Sequence, residues 1–337
     1  MKNLLCLLAL LCCLTACDGD QPTDATPDTS AGDPGIAALD RAILSNPEEA
    51  DLYAQRAEMW YNKSNYDAAI TDLQAALTLD STNVPYHWLL SDVYLDYYRS
   101  RLALRTLERA AKLEPDNLET QLRLAETQLT LQQYDGAMKS LNEVTRIDPR
   151  NPDAYLLLSE TFLETGDTAR AISAAEEAAE IDPDMTDAFV RLGQLLFAIK
   201  SNRAVQYFDA AMGIDATDPI PIHAKADYLR DSDRLPEAIE LYRAASRADR
   251  QYVAGHFNAG LLLMELDSVE AAKTEFDLVI KNDPIHIRSY FFRGYAKELL
   301  GDIAGARNDY KSALRFAPDY DFALEGLERV GEEPTEE

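Results

Sequence analysis

A repeat with a period of about 34 residues runs through most of this chain and constrains its fold more than any other feature. Short motifs, most of them an acidic or polar residue followed by proline, recur at this step, and a single step is one position shorter. They are Asn46-Pro47, Asp80-Ser81, Glu114-Pro115, Asp148-Pro149, Asp182-Pro183, Asp215-Ala216, Asp249-Arg250, Asp283-Pro284 and Ala317-Pro318. Proline lacks the backbone N–H and clashes with the previous helical turn, so these motifs predict helix ends.

Small side chains recur in register with this period. An alanine stands at one fixed distance before each motif except the first: Ala69, Ala103, Ala137, Ala171, Ala204, Ala238, Ala272 and Ala306. Position 8 of each repeat is also small: Ala57, Ser91, Ala125, Ser159, Gly193, Ala226, Gly260 and Gly294. The residue four positions after each alanine is usually larger: Leu73, Leu107, Leu141, Ala175, Phe208, Tyr242, Phe276 and Tyr310. Two helices approach closely only where one carries a small side chain and a larger side chain of the other fills the adjacent space. The pattern therefore predicts eight antiparallel helix pairs.

This pattern resembles the tetratricopeptide repeat, a helical hairpin of about 34 residues. The resemblance covers residues 50–318 and implies an all-α fold, a right-handed α-solenoid of about eight helix-turn-helix repeats. The predicted repeats are about 50–83, 84–117, 118–151, 152–185, 186–218, 219–252, 253–286 and 287–320. Capping helices are predicted at 36–45 and 320–331, so that the solenoid spans 36–331. Repeat 5 is one residue short between Gly193 and Ala204, and we expect a local change in geometry there.

The N-terminus predicts a secretion signal and a lipid anchor. Lys2 precedes an apolar run that ends at Leu14 and is shorter than the roughly 20 residues a membrane-spanning helix needs. A charged start and a short apolar core are typical of a secretory signal peptide. The run continues as Leu14-Thr15-Ala16-Cys17, which resembles the bacterial lipobox. That resemblance implies cleavage after residue 16 and acylation of Cys17 with palmitate-like chains. The alternative is an ordinary signal peptide with an incidental cysteine.

The sequence leaves the destination of the lipoprotein open. Asp18 resembles an inner-membrane retention signal in enterobacteria, whereas acidic residues there resemble a surface-export signal in other phyla. We expect a lipid anchor in the cell envelope, at the periplasmic or surface face of the outer membrane rather than at the inner membrane. Residues 17–35 comprise the cysteine and a tether with few large apolar side chains, which predicts disorder. Residues 332–337 are predicted to be a disordered acidic tail.

The net charge of −27 restricts the class of partner. Nucleic-acid binding needs Lys and Arg to displace counterions from phosphates, so a nucleic-acid partner is not expected. The same charge argues against the chain resting flat on an anionic lipid surface, and it favours basic partners. All four cysteines lie within the first 17 residues, so disulfides cannot hold the repeats together.

No sequence motif predicts catalysis. The histidines, which are His87, His223, His256 and His286, are scattered and form no HExxH motif. Phosphate-binding glycine loops, GxSxG and calcium-loop spacing are also absent from the sequence. We therefore expect no catalytic residues, no metal and no cofactor, and we interpret the chain as an interaction protein and not an enzyme.

The resemblance implies a binding surface. In tetratricopeptide-repeat proteins the first helix of each repeat lines a concave groove, and here position 9 is acidic in five of eight repeats. The predicted groove residues are Glu58, Trp88, Asp92, Leu122, Glu126, Leu156, Glu160, Glu164, Asp227, Phe257, Phe291 and Tyr295. The alternative is a merely solvated acidic face whose leucines serve packing, with the closing helix covering Phe291.

The groove composition predicts a protein or peptide partner that carries basic and apolar residues. Relatives that clamp a C-terminal carboxylate use Lys at position 5 and Asn at position 9. Repeat 1 has Ala54 and Glu58 there, so that mode is set aside. The leading hypothesis is a non-catalytic envelope scaffold or assembly factor, as in similar lipoproteins that assemble pili or secretion machines or recruit peptidoglycan hydrolases. The alternative is a surface lipoprotein for nutrient or glycan capture. That alternative is disfavoured because similar glycan-binding lipoproteins carry large insertions, whereas no step between the motifs here exceeds one repeat length.

Overall fold

The computed structural model describes residues 33–331, which form 18 helices and no strand. The predicted signal peptide (1–16), the acylation site Cys17, the tether before residue 33 and the tail (332–337) lie outside the described residues. The helices are α1 (Pro34–Ser45), α2 (Ala50–Asn62), α3 (Tyr66–Leu79), α4 (Val84–Asp96), α5 (Ser100–Leu113), α6 (Leu118–Thr130), α7 (Tyr134–Ile147), α8 (Pro152–Glu164), α9 (Thr168–Ile181), α10 (Thr186–Ala198), α11 (Ala204–Ile214), α12 (Pro219–Asp231), α13 (Leu235–Ala248), α14 (Ala254–Glu265), α15 (Val269–Asn282), α16 (Ile287–Leu299), α17 (Ile303–Phe316) and α18 (Asp321–Arg329).

The predicted fold, an α-solenoid of eight helical hairpins between two end helices, is confirmed. We call the first helix of each hairpin (even numbers, α2 to α16) an A helix and the second (odd numbers, α3 to α17) a B helix. The chain divides into two compact units, of which unit 1 ends at Val93 and unit 2 begins at Tyr94. In unit 1, α1 packs on α2 and α2 packs on α3. In unit 2, from α6 onward, each A helix packs on its own B helix and on the B helix before it.

The end helix α1 begins at Pro34, two residues before the predicted start. Asp33 explains the difference, since its carboxylate accepts backbone N–H groups from Gly35 (2.8 Å) and Ile36 (3.2 Å). Such an N-cap satisfies donors that have no partner within the helix, and proline is well tolerated directly after it. Asp33 falls within the predicted tether, so the cap is not predicted from the sequence.

The turn from each A helix to its B helix uses one residue in the left-handed backbone region. These residues are Ser64, Tyr98, Gln132, Gly166, Lys200, Asp233, Asp267 and Gly301, with φ between 56° and 84°. The following residue donates its N–H to the carbonyl five residues back, as Asp167 does to Phe162 (2.8 Å). This arrangement is a Schellman motif, which normally favours glycine at the left-handed position. Six of these eight turns use another residue at a conformational cost.

Gln132→Gly is therefore expected to raise the free energy of unfolding by about 0.5–1 kcal/mol, because glycine removes the Cβ strain of the left-handed region. Gly166→Ala is the reverse change at the equivalent turn and should lower the free energy of unfolding by about 1 kcal/mol. No heavy atom lies within 4 Å of the added Cβ at Gly166, so that loss would measure backbone strain alone. Denaturant unfolding measures the change in the free energy of unfolding for both variants. Changes of the same sign in the two variants would contradict the turn geometry.

The B helices end even where the motif lacks proline. Asp80, Asp215 and Asp249 each accept the backbone N–H of the residue two positions later, at 3.1, 2.8 and 2.8 Å. Aspartates before a proline do the same, as at Asp148 (3.0 Å). A side-chain oxygen bonded two residues on forms an Asx turn, which diverts the chain from the helix. The aspartate thus ends the three helices for which proline gives no explanation.

The repeated small residues lie where two helices touch. The alanines in register along the B helices of unit 2 are buried, as is the opposing position 8. Glycine at position 8 faces an aromatic ring: a Cβ on Gly260 would lie 2.6 Å from Phe276, and one on Gly294 would lie 2.9 Å from Tyr310. Where position 8 is alanine, as at Ala125, the matching residue is usually leucine. The size of one side chain is thus set by that of the other.

The one-residue deletion in repeat 5 falls at the start of α11. Lys200 occupies the left-handed turn position, but the helix begins only at Ala204, so α11 has 11 residues where other B helices such as α3 and α7 have 14. A cleft of about 540 Å³ lies beside this turn and is lined in part by Phe197, Asn202 and Tyr228. The local change in geometry expected in repeat 5 is therefore the loss of the first turn of α11.

Candidate interaction surface

Neighbouring A helices approach one another directly in unit 2. Such contacts join α6 to α8, α10 to α12, and α14 to α16, whereas no two consecutive B helices in the described part of this unit make comparable contact. Repeats therefore lie closer together along their A helices than along their B helices. The A-helix face is accordingly the concave side of unit 2, as the resemblance implies.

Three carboxylates lie on the neighbouring helices α6 and α8, and we call them the acidic ridge: Glu126, Glu160 and Glu164. Glu126 and Glu164 are exposed, and the Tyr134 hydroxyl donates to Glu164 at 3.2 Å. The Glu160 side chain is 43% exposed and forms only a long ion pair of 3.4 Å with Arg191. Contacts of this kind between exposed groups are weak. The ridge thus presents three carboxylates at the surface, where a partner could reach them.

Apolar surface adjoins the acidic ridge. Leu122 and Leu156 each stand four residues before a ridge carboxylate, so they lie one helical turn away on the same face. Both are half-buried, and Leu122 packs against the core cluster that contains Ala125 and Leu158. Leu122 thus serves packing, as the alternative interpretation holds, and both leucines still leave part of their surface open. A face with this chemistry suits a segment that carries both basic and apolar side chains.

Asp227 accepts hydrogen bonds from side chains of its own repeat. The Tyr242 hydroxyl donates to it at 2.6 Å, and Arg230 donates to the same oxygen at 3.0 Å. Burial, followed by this hydrogen bond to a carboxylate, raises the pKa of Tyr242, so the phenol stays a donor. Burial likewise lowers the pKa of the neighbouring His223, which keeps the imidazole neutral at pH 7. Asp227 is therefore less available to a partner than the acidic ridge.

Phe257 was predicted to line the groove, but it is only 6% exposed and belongs to the core. Its ring lies 5.9 Å from that of Phe276 and 5.8 Å from that of Phe292, and the guanidinium of Arg288 covers it at 4.7 Å. These side chains surround Phe257 from its own repeat and from the next. Phe257 thus stabilises repeat 7 and offers no surface to a partner.

Phe291 and Tyr295 lie under the closing helix. The Phe291 ring packs at 5.9 Å from Tyr320 and 5.7 Å from Phe322, and it stacks at 6.4 Å on Tyr295. This contact matches the alternative in which the last helix covers Phe291. Both residues remain half-buried, and their main contacts join the last repeat to α18.

In unit 1 the predicted groove residues differ in accessibility. Glu58 on α2 is exposed, whereas Trp88 and Asp92 on α4 are half-buried. The neighbouring aspartate on α2, Asp51, accepts a hydrogen bond from the Tyr86 hydroxyl. Of the predicted groove residues in unit 1, only Glu58 is thus exposed, at position 9 of the first repeat.

The histidines have structural partners. His87 is buried, and its Nε2 lies 3.2 Å from the carbonyl of Ser81. His256 Nδ1 lies 2.7 Å from Glu275, which also accepts from Arg243 at 2.7 Å. Burial alone would raise the pKa of Glu275, but these hydrogen bonds hold it below its usual value. No group of His, Cys, Asp and Glu within residues 33–331 is arranged to hold a metal ion.

Three family models, all described as tetratricopeptide repeat, match the chain. The matched residues are 31–84, 98–161, 152–185, 223–284 and 257–321. Together these matches span more than half of the sequence. No curated protein matches the chain in sequence. Within the described residues, no helix combines the length and apolar character that crossing a membrane would require.

Many solved structures share parts of this fold. One is YrrB, described as a TPR protein with an unusual peptide-binding site. It is 22% identical, covers 56% of this chain and 98% of its own, and has a TM-score of 0.45. Another is TTC0263, a thermophilic TPR protein of Thermus thermophilus, at 21% identity, 54% and 99% coverage and a TM-score of 0.48. The Cut9–Hcn1 complex is 16% identical, with 88% and 58% coverage and a TM-score of 0.49.

Proposed function

The chain belongs to the tetratricopeptide-repeat family, and from that premise we propose that it is a non-catalytic scaffold for protein–protein interaction at the bacterial envelope. Its partner would be a protein segment that carries basic and apolar side chains. The observation that carries this proposal is the acidic ridge of unit 2, Glu126, Glu160 and Glu164, beside half-buried leucines on the concave side. The histidines, by contrast, are occupied by packing and hydrogen bonding.

Charge complementarity supports a basic partner. A chain with a net charge of −27 attracts cations at long range, and exposed carboxylates steer an oppositely charged segment towards the face that carries them. Leu122 and Leu156 would then provide the short-range apolar contact, since burying their remaining surface is favourable. We therefore expect binding that weakens with salt but does not vanish, because the apolar contribution is not screened.

Anchoring by an acylated Cys17 is the second part of the proposal, and an outer-membrane location, on the periplasmic or surface face, is favoured over the inner membrane. Mass spectrometry of the mature chain tests the anchor. The expected result is an N-terminal peptide that begins at Cys17 and carries acyl chains, and Cys17→Ser should leave the protein without them. A mature N-terminus elsewhere, or an unmodified thiol at Cys17, would contradict the anchor and leave the scaffold proposal standing.

Crosslinking and affinity capture from envelope membranes test the scaffold. Wild type should retain a defined partner, and the double variant Glu126→Lys/Glu160→Lys should lose most of it because the ridge changes sign. Glu177→Lys/Glu180→Lys is the matched control, since it makes the same charge change at exposed positions of the B helix α9. Equal loss in both double variants would point to net charge alone and contradict a specific A-helix surface.

A further inference from the structure

One helix of this acidic protein presents a basic outer face. Arg101, Arg105, Arg109 and Lys112 on α5 are all exposed, and we call these four residues the basic stripe. Their spacing of four, four and three residues places them on one side of the helix. The opposite side carries the buried residues, among them Leu104 and Leu107. Glu108 is the one carboxylate of this helix, so α5 is positive in a chain with a net charge of −27.

The basic stripe lacks the ion pairs that neutralise other exposed cations of unit 2. Arg146 pairs with Glu143, Arg170 with Asp167, and Arg234 with Glu237, at 2.5 to 2.7 Å in each case. By contrast, no carboxylate within the described residues forms an ion pair with a member of the stripe. The side chain of Arg105 reaches only the carbonyl of Arg101, at 3.4 Å. The stripe therefore presents positive charge to solvent, with the exposed Glu108 as the only carboxylate of α5 on the same face.

Two exposed amphipathic or apolar residues flank the stripe. Tyr98, two residues before α5, is 95% exposed and occupies the left-handed backbone region, with a φ of 57°. Leu113, the last residue of α5, is 37% exposed. Tyrosine is enriched where proteins meet the membrane–water interface, and Lys and Arg there attract anionic headgroups. The composition of the stripe and its ends is thus that of a surface for anionic lipid.

We propose that the basic stripe docks on the headgroups of anionic phospholipids in the membrane that carries the chain. The inference rests on the anchoring part of the proposed function, because four cations give only modest affinity by themselves. An acylated Cys17 would supply the rest by holding the chain at high local concentration near the bilayer. The net charge of the whole body opposes flat adsorption, so contact is made by this one helix. An acidic protein segment would match the charge, but it would not require an exposed tyrosine and leucine.

A single fluorescent probe can test the docking in the full acylated chain. The other cysteines, Cys6, Cys12 and Cys13, precede the predicted cleavage site, so the acylated chain would have no free thiol. Leu113→Cys places a probe at the end of the stripe, and Gln206→Cys places a control probe at an exposed position of the B helix α11. Each protein is inserted into phosphatidylcholine vesicles, with or without roughly 30% phosphatidylglycerol. Quenching by a headgroup-labelled lipid then reports contact with the bilayer.

The probe at position 113 should be quenched several-fold more in the anionic vesicles, whereas the probe at 206 should not distinguish the two compositions. Roughly 0.5 M salt should remove the difference, because it shortens the range of electrostatic attraction to a few ångströms. Arg105→Glu/Arg109→Glu should reduce the docked fraction by roughly tenfold or more. Lys139→Glu/Lys281→Glu, with the same charge change at exposed positions of α7 and α15, should retain it.

Three results would overturn the inference. The first is equal quenching at position 113 in both kinds of vesicle, and the second is equal loss in the two double variants. The third is a stripe that binds polyglutamate but not anionic vesicles, which would assign it to a protein partner. A chain without acyl mass on Cys17 would fail to insert into any vesicle, so failure of the anchor is seen before quenching is measured. That result would remove both the anchor and the docking, whereas an acylated chain without docking removes only the docking.

Discussion

Gly255→Ala is expected to lower the free energy of unfolding by about 3 kcal/mol, because there is no room for a methyl group where α14 meets α13. The added Cβ would lie 2.1 Å from the backbone carbonyl oxygen of Tyr242 and 2.7 Å from the Ser246 hydroxyl. A backbone oxygen cannot move aside as the end of a side chain can. Ser246 is also fixed, since it accepts the N–H of His256 at 2.9 Å and donates to the carbonyl of Tyr252 at 2.7 Å.

Gly213→Ala is the matched control, because it is the same change in the helix α11 of unit 2. No heavy atom outside the local helix lies within 4 Å of that Cβ, and alanine favours a helix over glycine by up to about 1 kcal/mol. The control should therefore be slightly more stable than wild type. Denaturant unfolding measures both variants, and hydrogen exchange locates the change. A Gly255→Ala protein as stable as Gly213→Ala would show that the close approach of the two helices is wrong.

Gly260→Ala is expected to cost about 1–3 kcal/mol and to be rescued in part by Phe276→Leu. The new Cβ would lie 2.6 Å from the ring of Phe276, which is fully buried and cannot turn away. Leucine at 276 loses some apolar burial but vacates the space that the methyl group needs. The double variant should thus be more stable than the sum of the single changes predicts, by roughly 1 kcal/mol.

The chain itself supports this rescue. The equivalent positions are Ala57 with Leu73 in unit 1, and Ala125 with Leu141 in unit 2, and all four residues are fully buried. Denaturant unfolding of the two single variants and the double variant completes the cycle. Strict additivity of the two changes would mean that residues 260 and 276 do not compete for one space, and it would contradict the packing described for repeat 7.

The fold was predictable from sequence because each contact that builds it recurs every repeat. The small residues of helices A and B face each other within one hairpin, so their register alone predicts the pairing. The ion pairs that bridge repeats were not predicted. Arg293, for example, reaches Asp277 of the previous repeat at 2.7 Å and Asp309 of its own at 2.8 Å. In unit 1, Arg56 makes the same two contacts with Asp40 and Asp72 at the same sequence spacing. The signal is weak because few repeats carry these residues, whereas the small residues recur in every repeat.

The candidate surface was predictable in its chemistry but not in its accessibility. Positions 9 and 13 do carry exposed carboxylates at Glu126 and Glu164, as the periodicity indicates. The same periodicity cannot show that Tyr242 and Arg230 engage Asp227, since those contacts depend on side-chain direction. Nor does it show that the Phe257 ring packs in the core against Phe276 and Phe292, since these contacts also depend on side-chain direction.

Calorimetric titration at low and high salt shows whether the acidic ridge binds a basic and apolar segment. The ligand is the segment identified by capture, titrated into wild type, Glu126→Lys/Glu160→Lys and the control Glu177→Lys/Glu180→Lys. Reversal of the ridge charge should weaken binding by roughly tenfold and remove most of its salt dependence, while the control should keep the wild-type affinity and salt dependence within roughly twofold. Equal affinity and equal salt dependence in all three proteins would contradict binding at the ridge.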